Sequence, residues 1–181
     1  MSPSFGSLSV PLSHHYWLIT KFKTDPIYIY ATRDPAADPA IKESFRQWRN
    51  FNSFAAKLSA EGSGPSLFLP ICQLRTALEE QSINRAADPC KLWIATEWLI
   101  RCSDILYQDM TSQETVDKDA ARVLRPGELC PADVKPLSLA RWMFWKSKLE
   151  EKCKEDGAGT DERARYAEAI ECMALAERKK Q

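Results

Sequence analysis

Asn52, Arg75, Glu79, Arg141 and Trp145 are the side chains whose types and spacing best suit chemistry. Arg75 and Glu79 stand one helical turn apart. Exposed, such a pair contributes about 0.2–0.5 kcal/mol. Sunk between helices, it becomes an acid with its charge partner. Asn52 falls in the middle of an apolar helical stripe, where an amide costs energy unless it is hydrogen-bonded. It either ties its helix to a neighbour's backbone or lines a pocket and fixes a polar group of a ligand. Arg141 precedes Trp145 by one turn, which permits a cation–π contact of about 0.5–2 kcal/mol. Arg141, Trp142 and Trp145 read as core with the guanidinium at its rim, or as a ligand wall. Glu97, Arg101, Asp104 and Gln108 share a compact polar arc, either one solvent stripe or a polar pocket. In each case the structural role is the expectation and the ligand role is the alternative.

The remaining chemistry is sparse. Six cysteines lie at 72, 90, 102, 130, 153 and 172, and none has a neighbour within the two-to-four-residue spacing of paired zinc ligands. His14 and His15 are the only histidines, too few for a His-based triad or metal centre, and they are expected to have no role. There is no Gly-rich phosphate loop and no nucleophile elbow. No cofactor and no metal are therefore expected, and no catalytic residue can be named.

Five or so helices must position these side chains. The first is expected from Pro39 to Ala60, with Pro39 in the first turn, where its missing N–H is not needed. Ile41, Phe45, Trp48 and Ala55 form its apolar stripe, flanked by Phe51 and Leu58. Gly62 and Gly64 then stop it. The second spans roughly 66–81, with Pro70 as its true start and Leu67, Ile71, Leu74 and Leu78 on one face. The third has Asp88 as N-cap and Pro89 at its first position, and runs to Met110. It is apolar almost all round, as a central helix is. A short helix is expected within 114–124 and a surface loop over 125–136. Ser138 then caps a helix that ends near Gly157, with Leu139, Trp142, Met143, Trp145, Leu149 and Cys153 inward and Lys146 paired with Glu150. A last helix covers about 161–179. Residues 1–38, with the alternating IYIYA of 27–31, read as an extended arm, and 39–181 as a single helical domain.

Composition sets further bounds. The chain has 181 residues, 44% hydrophobic and 28% charged, with only 6 glycines. That favours one helical domain with a sizeable core. Lys plus Arg and Asp plus Glu are 25 each, so no basic surface points to nucleic acid. With so little charge opposing self-association, a homodimer stays open. No apolar run is long enough to span a membrane, and the start lacks the pattern of a signal peptide. The cytoplasm, or else the nucleus, is expected, with the thiols reduced.

FRQWRNFNSFAAKLSAEG (45–62), LPICQLRTALEE (69–80), CKLWIATEWLIRCSDILY (90–107) and LSLARWMFWKSKLEE (137–151) occur in that order. Together they resemble a fungal family that carries a domain of unknown function, over roughly residues 45–175. The resemblance implies a fungal source and an all-helical fold. It implies no activity and no catalytic residues.

The expectation is an all-α irregular bundle around helix 89–110, acting as a non-enzymatic interaction or structural module with a protein partner. The alternative is a cofactor-independent enzyme or ligand-binding accessory protein for a small apolar metabolite, in secondary metabolism. There Asn52, Arg75, Glu79, Arg141 and Trp145 would line the pocket.

Overall fold

The computed structural model describes residues 38–62, 68–83, 85–112 and 116–180. The IYIYA segment, both histidines and the proposed arm up to residue 37 lie outside them, whereas Asp38 belongs to the first helix as its cap. Among the described residues every regular element is helical. They are α1 (Pro39–Ala60), α2 (Phe68–Leu78), a 3-10 turn (Arg85–Ala87), α3 (Asp88–Met110), α4 (Lys118–Val123), α5 (Leu139–Lys154) and α6 (Thr160–Arg178). The fold is all-α.

Local chemistry accounts for most boundaries. Asp38 caps α1, its carboxylate accepting from the Ala40 N–H, and Pro39 follows in the first turn. The chain leaves α1 through Gly62 at φ +76, a left-handed conformation that glycine adopts without cost. Ser138 caps α5 through the Arg141 N–H, as expected. Two starts differ from the sequence reading. Helix α2 begins at Phe68, so Pro70 sits within the first turn, where no backbone donor is required. Asp88 is not a cap. The 3-10 turn runs straight into α3, so Asp88 is already helical. Its carboxylate accepts instead from the Ser82 hydroxyl and the Lys91 ammonium.

Helix α3 is central, packing against α1, α2, α5 and α6. Trp98, Leu99, Ile94 and Leu106 on it are wholly buried. Each such large apolar side chain stabilises the fold by about 1.5–3 kcal/mol relative to exposure. From α5, Trp142, Trp145 and Leu149 enter the same core, whereas Leu139 and Met143 are about half exposed. The inward arc of α5 is thus narrower than its sequence pattern suggests. Phe144, off that arc, packs partly against the core. Lys146 does not pair with Glu150. It reaches across to Glu177 on α6 at 2.8 Å, and Glu177 also accepts from the Trp142 indole.

Candidate functional site

Glu79 extends the last turn of α2, its N–H bonded to the Arg75 carbonyl. Arg141 lies in the first turn of α5. Their side chains form an ion pair with no solvent exposure on either partner. Glu79 Oε1 accepts from Arg141 Nε at 2.7 Å and from the Trp145 indole. Oε2 accepts from Arg141 Nη2 at 3.0 Å and from the Gly127 N–H at 2.6 Å. Arg141 Nη1 donates to the carbonyls of Leu124 and Pro136, and Nη2 also reaches that of Arg125. All five guanidinium N–H groups are thereby used. The Arg141 carbon lies 5.3 Å from the Trp145 ring centroid, which is the cation–π contact read from the sequence.

This node holds the irregular stretch 124–136 against the bundle. That stretch has no helix or sheet of its own to satisfy its backbone, so side chains and other backbone must do it. Arg75 Nη1 binds the carbonyls of Val123 and Arg125, and the Leu129 N–H binds the Glu79 carbonyl. Gly127 passes so close that an added Cβ would meet the Glu79 carbonyl oxygen at 2.5 Å. Two expectations change here. Arg75 pairs with Glu80, at 3.1 Å, because Glu79 turns inward. The Arg141 guanidinium is fully buried beneath the 124–136 stretch, not at an open rim.

Asn52 lies elsewhere. It is fully buried between α1 and α3, its Oδ1 accepting from the Trp98 indole at 3.0 Å and its Nδ2 donating to the Trp48 carbonyl. It ties α1 to a side chain of α3, not to its backbone. The polar arc of α3 also divides. Arg101, Asp104 and Gln108 are exposed, whereas Glu97 is buried. Glu97 receives Ser53 from α1, Arg165 from α6, and Arg101. Burial pushes its carboxyl up, but these hydrogen bonds outweigh burial and hold it below the usual carboxylate range.

A groove of about 660 Å³ opens beside that network, between the start of α1, the start of α3 and α6. Phe45, Pro89, Cys90, Trp93 and Tyr166 give it apolar walls, and Lys42, Arg46, Arg49 and Arg165 give it cations. Two guanidiniums sit over the Trp93 ring: Arg49 at 4.1 Å and Arg165 at 4.2 Å from its centroid. Arg165 is anchored by Glu97, by the Thr96 hydroxyl and by the Trp93 carbonyl. Arg46 is held in a two-point fork by Glu43. That fork, with Gln47, lowers the Glu43 carboxyl to about 2. Arg49 makes no ion pair with a carboxylate among the described residues. Burial first, then the neighbouring Arg165 charge, lowers its pKa. It is a half-buried cation with no direct carboxylate partner among the described residues.

Four of the five sequence candidates thus gather at one place, the closed node of Arg75, Glu79, Arg141 and Trp145, and Asn52 stands apart in its own closed contact. Arg49, Trp93 and Arg165, which line an open recess, are not among the candidates read from the sequence. One signal for it was present. Lys42, Arg46 and Arg49 recur at helical spacing along one side of α1. The Trp93–Arg165 contact joins positions 72 residues apart and has no local signature.

Among the described residues no group of His, Cys, Asp or Glu side chains could hold a metal ion. No helix among them is long and apolar enough to cross a membrane. The family model described as protein of unknown function (DUF3632) matches residues 14–149. That match starts ahead of the motifs quoted above and stops within α5. No curated protein and no solved structure matches the chain. The chain belongs to the DUF3632 family.

Proposed function

We propose that this member of the DUF3632 family is a non-enzymatic helical module that works by binding, with its ligand seated in the groove over Trp93. The observation that carries the reading is Arg49, a half-buried guanidinium in a groove of about 660 Å³ with no direct carboxylate partner among the described residues. A pocket of this size, mostly apolar with a few convergent polar groups, suits a small ligand. The ionisable groups picked out by sequence support the same division of labour, because Glu79 and Arg141 are spent on each other and on loop backbone. The enzymatic alternative finds less support. Burial lifts the thiols of Cys72 and Cys102 to about 11 and the Tyr166 hydroxyl to about 12, away from the range of a general acid or base at neutral pH. A cytoplasmic setting, where the six cysteines would stay reduced, goes with this reading.

Native mass spectrometry on the full chain tests this reading. The expected result is a retained small molecule that is lost in Arg49→Glu and kept in Asn52→Ala. Retention in Arg49→Glu, or no bound species in any preparation together with no response of Trp93 to added ligands, would contradict it.

A further inference from the structure

We propose that the groove takes a small monoanionic carboxylate with a planar apolar body. This rests on the binding reading above and names the ligand class. The charged side chains lining the groove are Lys42, Arg46, Arg49 and Arg165 against Glu43 and Glu162. Arg46 is paired with Glu43, and Arg165 is paired with Glu97, which it shares with Arg101. Glu162 adds a carboxylate at the α6 side, where it accepts from the Gly159 N–H. Lys42 also lines the groove and is exposed. Arg49 is left as the lining guanidinium without a direct carboxylate partner among the described residues.

A carboxylate fits that guanidinium in geometry. The guanidinium edge presents paired N–H donors that match the two oxygens of a carboxylate. The Arg49 guanidinium carbon lies 4.1 Å from the Trp93 ring centroid, and its N–H groups make no hydrogen bond among the described residues, so they are left to a ligand. Binding would also relieve the repulsion between Arg49 and Arg165 over one ring. A phosphate monoester, as a dianion, would need a second committed cation. Lys42 is a poor candidate, being exposed and strongly hydrated. The rest of the ligand must lie against Phe45, Pro89 and Cys90, which favours a flat apolar body.

The test is a titration of 1-naphthylacetate into the full chain, followed by the indole N–H resonances, with that of Trp93 assigned through Trp93→Phe. 1-Naphthylacetamide and 1-naphthyl phosphate serve as comparisons. The expected result is a saturable shift of the Trp93 resonance with the carboxylate. Its affinity should fall at least about tenfold in Arg49→Gln, with Arg49→Lys intermediate, and the amide should bind at least about tenfold more weakly. Equal binding of the amide, or tighter binding of the phosphate, would overturn the carboxylate assignment while leaving the groove as a binding site. Failure of all three probes to move the Trp93 resonance would overturn the groove reading itself.

Discussion

Glu79 and Arg141 lie 62 positions apart in the chain and meet as a fully buried pair, with Nε and Nη2 of one facing Oε1 and Oε2 of the other at 2.7 and 3.0 Å. A pair so placed contributes little to net stability relative to an apolar pair of the same size, yet removing one partner is expensive. Here the cost is larger than the pair alone, because Arg141 also holds the carbonyls of Leu124, Arg125 and Pro136. The node fixes where the segment between α4 and α5 can run. Neither side chain of the pair is exposed to solvent.

Gly127 is required at its position by close approach, not by backbone angle. Gly127→Ala would push a methyl against the Glu79 carbonyl oxygen and Cβ. The expected loss is about 1–3 kcal/mol, the usual cost of overpacking, measured by urea denaturation. An unchanged midpoint would mean that the 124–136 segment moves aside freely.

Asn52 and Trp98 are coupled. Asn52→Ala leaves the Trp98 indole N–H without its acceptor inside the core, at an expected cost of about 1–3 kcal/mol. Trp98→Phe removes the donor from the other side. The double variant should be less destabilised than the sum of the two, by about 0.5–3 kcal/mol of interaction energy. Strict additivity would show that the contact carries no energy.

Glu97 makes the fold acid-sensitive in a defined window. Its carboxyl is held below the ordinary 4.5 in the folded chain despite burial. The stabilisation it supplies is therefore complete above about pH 4.5 and is lost as pH falls through the lowered folded value. Glu97→Gln should lower stability at neutral pH by about 2 kcal/mol and flatten the acid limb of the stability curve. A variant with the wild-type acid limb would remove Glu97 from this role.

The thiols should be slow. Burial raises Cys72 and Cys102 to about 11. Burial and the Glu79 charge raise Cys130 to about 12, and Cys153 and Cys172 are also shifted up. At pH 8 the folded chain should therefore react with iodoacetamide at these positions far more slowly than the unfolded chain. Prompt labelling of Cys72 in the folded state would contradict this.

Helix periodicity made most of the fold legible. The limits of α1, the central place of α3 and the Ser138 cap follow from signals within a few residues of one another. The composition of the candidate node was partly legible as well, since Glu79, Arg141 and Trp145 were picked out by type. The partner of Glu79 was not legible. A one-turn rule joins it to Arg75, and only the crossing of α2 beneath α5 joins it to Arg141. Arg49 was passed over for a related reason. On a sequence it is one of several exposed-looking cations of α1, and its exceptional position is created by Trp93 of α3 and Arg165 of α6. The one-residue misassignment at Asp88 came from a 3-10 turn that propensity does not mark.

The account divides two arginines: Arg141 is built into the fold and Arg49 is surplus to it. Denaturant unfolding of Arg141→Lys and Arg49→Gln beside the wild-type chain tests that division most directly. Arg141→Lys cannot reproduce the fork and should lose about 3 kcal/mol or more. Arg49→Gln gives up one cation–π contact and should stay within about 1 kcal/mol of wild type. A loss in Arg49→Gln that equals the loss in Arg141→Lys would show Arg49 to be a structural cation and would contradict the groove as the site of function.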